Sequence, residues 1–237
     1  MQNKKKYTGI SDLELDINTN ESMTLISRSA WNEIVSEEYP ALRHEFLESL
    51  ELSGCCSTNT GWTPKHITVT LNNKIVGLAP CYLKTHSYGE FIFDWDWANA
   101  YQRAGLTYYP KLLIGIPFTP ISGPRLVQHC DFDEMVIKNK IAKFLPVLAD
   151  KVDASSVHCL FCDDHDITSL TKSNFLSRES RQFHWINENY TSFTEYLDSF
   201  SSKKRKNISR ERRRIQDFGV NMEWIHGVNI SEEILDF

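Results

Sequence analysis

The sequence predicts an α/β layered fold, and three observations carry that reading. The stretch "HITVTLNNKIVGLAPCYLK" (66–84) alternates apolar and polar residues on both sides of Asn72–Asn73, a pair that tolerates positive φ, so it reads as a hairpin. "KLLIGIPF" (111–118) is almost continuously apolar, as a strand buried on both faces would be. Helical and extended segments then alternate along the chain, the order that layers helices on a sheet.

The elements follow in sequence. The first 25 or so residues are polar and expected to be loosely ordered. "SRSAWNEIVSEEYPALRHEFLESLELSG" (27–54) reads as helix interrupted near Pro40; Leu42, Phe46, Leu47 and Leu50 recur at helical spacing and Gly54 suits a C-terminal cap. After the hairpin, "GEFIFDW" (89–95) predicts a strand, and Asp94 can cap a helix over "WDWANAYQRAG" (95–105) that closes at Gly105. The strand at 111 runs into the Pro/Gly loop "TPISGPRL" (119–126). Residues 132–150 predict an amphipathic helix, "SSVHCLF" (155–161) a strand, and "SLTKSNFL" (169–176) a short helix. "SRESRQFHWINEN" (177–189) reads as a strand, "SFTEYLDSF" and "SSKKRKNISRERRRIQDFG" (201–219) as helices, and "VNMEWIHG" (220–227) as a last strand.

Composition narrows the class. The 237 residues are 41% apolar and 24% charged, ordinary for a globular protein with a proper core. No run approaches the ~20 apolar residues of a membrane span, and the basic N-terminus has no apolar segment after it, which points to the cytoplasm. Six cysteines lack the density of a disulfide scaffold and are expected to be reduced. "HCLFCDDH" (158–165) has the residue types of a metal cluster. On a strand, however, Cys159 and Cys162 differ by an odd number and face opposite sides, and Leu160–Phe161 supply no turn, so no metal is expected.

The net charge of −5 hides an asymmetry: residues 203–214, "KKRKNISRERRR", carry eight Lys/Arg against one Glu. Ser201 or Ser202 can cap this helix, Gly219 can close it, and Ile208, Ile215 and Phe218 form a stripe able to dock on the body. Lys203, Lys206, Arg210, Arg213 and Arg214 occupy the open side. Like charges three or four residues apart repel, so a phosphate-bearing partner is the expected compensation; a general DNA-binding composition is not present.

Residues 82–111 pack nine aromatic rings into thirty positions. Phe91 and Phe93 share one face of their strand, and Trp97 and Tyr101 share one face of a helix, so these four read as packing. Lys84, His86, Glu90, Asp94, Asp96, Arg103 and Lys111 are the charged minority that packing does not explain. His86 is the general-base candidate because histidine titrates near neutrality; a hydrogen-bonded structural histidine is the alternative. No nucleophile elbow, phosphate loop, dinucleotide fingerprint, zinc-protease helix or acetyltransferase pyrophosphate loop is present.

"SGC", "TGWTPKH", "YLKTHSYGEFIFDWDWANAYQRAGLTYYPKLL", "PFTPISGPRL", "QFHWINENY" and "SSKKRKNISRERR" together resemble a bacterial family of N-acyltransferases related to the FemAB-type peptidoglycan aminoacyltransferases, within the GNAT superfamily. The resemblance runs from about Leu25 to about Val228. It implies a GNAT-like mixed sheet flanked by helices, the first of two such halves, with residues 25–200 as the first domain and 201–237 as the basic helix and start of a second. Family members continue past the position of Phe237, so a longer protein is expected. The implied reaction is transfer of an acyl or aminoacyl group from acyl-CoA or aminoacyl-tRNA to an amine of a small molecule or cell-wall precursor, with no tightly bound cofactor.

For such a reaction His86, Glu90 and Asp94 are the candidates for the base or its orienting partner. Tyr88, Trp95 and Tyr108 would shape the acceptor pocket. Arg103, Lys111, Arg125 and His184 would contact the acceptor, and Lys203, Lys206, Arg210 and Arg213 the phosphates of CoA or tRNA. The alternatives are a non-catalytic module for a cell-wall or phosphorylated ligand, and an RNA-binding protein acting through the basic helix.

Overall fold

The computed structural model describes residues 14–92, 94–181 and 183–235. They divide into two compact units, Met1–Glu179 and Ser180–Phe237.

The first unit is α/β, with two four-stranded sheets and helices around them. β1 (Asp16–Asn20) lies inside the segment expected to be loose. It is ordered because it pairs antiparallel with the hairpin over five residues, Asp16 opposite Thr70 to Asn20 opposite His66. α1 (Arg28–Ile34) and α2 (His44–Leu52) flank a 3-10 turn at Pro40–Leu42, and Gly54 takes φ +78° after α2, as expected of a cap. β2 (Trp62–Pro64) precedes the hairpin of β3 (His66–Leu71) and β4 (Lys74–Ala79), turned by Asn72 and Asn73 at φ +49° and +64°. β5 (Cys81–Lys84) follows Pro80 directly but joins the other sheet.

The strand expected over 89–95 does not form among the described residues: residues 85–92 are turn and loop, with Gly89 and Phe91 at positive φ, a backbone that ends a ladder. Phe93 lies outside the described residues. α3 (Trp95–Arg103) ends before Gly105 at φ +72°. β6 (Lys111–Ile114), β7 (Val127–Gln128), α4 (Glu134–Lys151), β8 (Val157–Cys159) and α5 (Asp164–Lys172) complete the unit. The sheet orders are β1-β3-β4-β7, all antiparallel, and β2-β5-β6-β8, in which β6 and β8 run parallel. The mixed sheet expected is thus the second of two.

Strand parity distributes the core. Cys81, Leu112 and Ile114 face the main cluster with Ile67, Val69 and the α4 residues Ile137, Ile141 and Leu145. Tyr82 and Leu113, one residue out of phase, face the opposite side with Trp62 and Cys56. Lys84 and Lys111 share the parity of Tyr82 and Leu113, so both lysines emerge on that second face. α1 and α2 form a third cluster around Trp31, whose indole N–H donates to the Leu42 carbonyl at 2.9 Å.

The second unit holds α6 (Phe193–Asp198), α7 (Ser202–Asp217) and α8 (Glu232–Leu235). Its rings gather on Tyr196, with Trp185, Tyr190, Phe193 and Phe200 at centroid distances of 4.9 to 5.9 Å. The strands expected at 177–189 and 220–227 do not form among the described residues: neither stretch pairs with another segment, and a strand needs a ladder partner. Gln182 lies outside the described residues.

Candidate active site: a buried charge cluster under a loop

β5 and β6 place Lys84 directly opposite Lys111, and both side chains are wholly buried. Two like charges facing each other across a sheet need local compensation. The 85–94 segment supplies it. The Lys111 ammonium donates to Ser87 Oγ at 2.8 Å, Glu90 Oε2 at 2.8 Å and Asp94 Oδ2 at 2.5 Å. Asp94 stands at the N-cap position of α3, as the sequence suggested. Its carboxylate makes no cap bond, however, and turns inward to Lys111 and to the Tyr108 hydroxyl, which donates to it at 2.7 Å. The stronger charge-assisted bond wins over the cap.

Lys84 is held differently. Its ammonium lies 3.5 Å from the centre of the Trp62 ring and donates to the Tyr88 carbonyl at 3.2 Å. Trp62 is itself braced edge-on by Tyr82 and tilted against Phe118. Behind Tyr108, His158 Nε2 lies 3.0 Å from Ser156 Oγ and 3.5 Å from the Tyr108 oxygen.

Burial drives the protonation of the set. It pushes Glu90 up, against the pull of Lys111. Burial would raise Asp94 as well, but hydrogen bonds from Lys111, Ser87 and Tyr108 outweigh it and hold that carboxyl below its ordinary value. Lys84 falls to about 7, through burial and the neighbouring Lys111 charge, although Glu90 opposes the fall. His158 falls to about 4 through burial and Lys111. One oxygen of each carboxylate, Glu90 Oε1 and Asp94 Oδ1, is buried without a hydrogen-bond partner.

The distribution of rings and charges inverts the sequence expectation. Phe91 and Trp97, read as packing, are 53% and 55% exposed, and α3 buries none of its residues. Glu90, Asp94 and Lys111 are the buried ones, at 3%, 1% and 0%. The cause is the absent strand: without it, the loop turns Glu90 and Asp94 toward Lys111 and leaves Tyr88 and Phe91 outward.

The candidate residues fall into groups. Glu90, Asp94, Tyr108 and Lys111 converge. His86 is pinned to the backbone, with Nε2 2.9 Å from the Thr60 carbonyl and Nδ1 accepting from the Tyr88 N–H at 3.2 Å, so both ring nitrogens are engaged. Tyr88 is exposed beside His86 and Trp95. Arg103 is exposed at the end of α3. Arg125 is buried, and its guanidinium donates to the carbonyls of Leu160, Pro124 and Ile121, so it closes its own loop. His184, Lys203, Lys206, Arg210 and Arg213 belong to the second unit and are exposed there.

Lys84, Ser87, His158 and Tyr109, whose hydroxyl lies 2.8 Å from Ser87 Oγ, complete the cluster without having been candidates for a role. Two lysines at the ends of apolar strands, with two acids in the intervening loop, were the signal available for Lys84. The thiols of Cys159 and Cys162 also correct an expectation. β8 ends at Cys159, and Phe161 at φ +56° turns the chain, so strand parity does not reach Cys162 and both cysteines pack against the main core. Among the described residues, His129, Cys130 and Asp131 bring possible metal-ligand atoms within 4.8 Å of one another. No helix among them is long and apolar enough to cross a membrane.

Residues 22–237 match the model of the FemAB-like family, described as peptidoglycan biosynthesis/recognition. The chain belongs to the FemAB-like family. Membership implies a peptidoglycan-related transferase. No curated protein and no protein of solved structure matches the chain.

Proposed function

We propose that this FemAB-like protein transfers an acyl or aminoacyl group to the amine of a cell-wall precursor or smaller acceptor, and that the Lys111–Glu90–Asp94 cluster receives that amine. The observation that carries the reading is the pair of buried, unpartnered oxygens, Glu90 Oε1 and Asp94 Oδ1. An unsatisfied buried acceptor costs about 1–3 kcal/mol, and an arriving ammonium would satisfy both. Because Lys111 binds both carboxylates, they are held close enough to share one cation.

In this reading Glu90, whose burial favours the protonated form, takes the proton that frees the amine lone pair. Asp94 stays ionised under Lys111 and Tyr108 and orients the acceptor. Access requires the 85–94 segment to move, with Tyr88 and Trp95 at its surface. Acyl-CoA or aminoacyl-tRNA would be the donor, its phosphates meeting Lys203, Lys206, Arg210 and Arg213 of α7. Among the described residues the ion pair made by α7 is Arg205 with Asp198, and none of those four cations is paired with an acid. The test is label transfer from acetyl-CoA and from aminoacyl-tRNA to a panel of amines, including peptidoglycan stem peptides. Transfer that drops at least 100-fold in Glu90→Gln supports the reading; no transfer from either donor by the wild type overturns it.

A further inference from the structure

We propose that Lys84 is the residue that finally holds the proton given up by the attacking amine, receiving it through the Glu90 carboxyl while Lys111 stays charged. The proposal rests on the acyl-transfer reading above.

The geometry distinguishes two lysines that the sheet makes equivalent. They stand opposite each other in register, equally buried. Lys111 has two carboxylates and a hydroxyl at hydrogen-bond distance. Lys84 has a backbone carbonyl and the face of Trp62, and no carboxylate at hydrogen-bond distance among the described residues. A ring face and one carbonyl compensate a buried ammonium only partly. The titratable groups that face Lys84 are Lys111 from β6, Glu90 from the covering loop and Cys56 from the turn after α2, with His86 at the end of its own strand. Of the two lysines, Lys84 is therefore the one that can stand neutral, as a desolvated lysine beside a second cation does. Its burial-driven fall to about 7 agrees with the geometry.

The step balances. The acceptor ammonium passes one proton to Glu90, which is bonded to Lys111 and not to Lys84 while the loop is closed; the movement of the 85–94 segment that admits the acceptor brings the protonated carboxyl to neutral Lys84, which takes the proton. The freed lone pair attacks the donor carbonyl, the C–N bond forms, and the C–S or C–O bond to the carrier breaks. A second N–H proton leaves with the thiol or hydroxyl, so the product is a neutral amide and Lys84 is an ammonium. That ammonium remains over Trp62 until solvent takes the proton.

Lys84 acts through Glu90, so its test needs a readout that packing alone would not move. The full chain is labelled with ε-13C lysine, and the Lys84 resonance is assigned by its loss in Lys84→Met. It is expected to titrate near pH 7, well below the other lysines. In the transfer assay, kcat is expected to rise with pH along a limb whose midpoint follows the Lys84 titration. Lys84→Met and Lys84→Arg should both lower kcat about 100-fold with KM for the amine little changed and the limb gone. Arginine keeps the charge but cannot give up its proton, so rescue by Lys84→Arg would show a merely structural role and overturn the proposal. A Lys84 titration above pH 9, or a limb that persists in Lys84→Met, would also overturn it while leaving acyl transfer standing. Absent transfer in the wild type, with the titration in place, would remove the acyl-transfer reading and this role together.

Discussion

Lys84 and Lys111 face each other across adjacent strands, both wholly buried, yet only Lys111 is bonded to the carboxylates of Glu90 and Asp94. The pair therefore responds asymmetrically to substitution. Lys111→Met strands two buried carboxylates and is expected to cost about 3–5 kcal/mol in urea unfolding. Lys84→Met removes a desolvated charge and its repulsion and should lie within about 1 kcal/mol of the wild type, on either side.

The same asymmetry has a pH signature. Lys84 is lowered in the folded protein from its ordinary 10.5 to about 7. Below pH 7 both the folded and unfolded chains carry the proton, so its burial penalty is fully present there. Between pH 7 and 10.5 the unfolded chain binds more protons, and the penalty is relieved as pH rises. Any stability advantage of Lys84→Met over wild type should thus be largest at pH 6–7 and shrink towards pH 10, read as the shift of the urea midpoint.

Asp94 works on the acid side. Its folded value lies below the ordinary 3.8, so it contributes stability above pH 3.8 that is lost as pH falls through the folded value. Asp94→Asn should flatten the acid limb of a stability–pH curve below pH 4; an unchanged limb would remove Asp94 from the account.

Gly89 tests how tightly the covering loop is fitted. It holds φ +81°, and an added Cβ would lie 2.6 Å from Phe118 Cε1. Gly105 holds φ +72° with open space around it. Gly105→Ala should cost about 1 kcal/mol, for backbone conformation alone. Gly89→Ala should add about 1–3 kcal/mol of overpacking, or displace Phe118 and loosen the loop, seen as faster amide exchange at 86–92.

The inverted aromatic stretch predicts two very different tryptophans. Trp97→Ala on exposed α3 should change stability by no more than about 0.5 kcal/mol. Trp31→Ala, wholly buried with its indole bonded to Leu42, should cost about 3–5 kcal/mol.

Sequence alone determined the α/β class, the Asn72–Asn73 hairpin, the caps at Gly54 and Gly105, and the resemblance that membership in the FemAB-like family bears out. These are properties of local pattern: alternation, positive-φ residues and helical spacing act over a few neighbours. It also found the stretch in which Glu90, Asp94, Tyr108 and Lys111 meet. Tertiary structure decided which side of that stretch faces inward. A residue's face depends on whether its strand has a partner, and the described residues of 89–95 have none, so a parity argument could not place Phe91. The same limit hid β1, ordered by a strand about fifty residues away, and the turn that brings Cys159 and Cys162 to one core. Lys84 opposite Lys111 is a register between two strands far apart in the chain. Only the folded sheet sets that register, and with it the difference between a lysine held charged by two acids and one left to titrate.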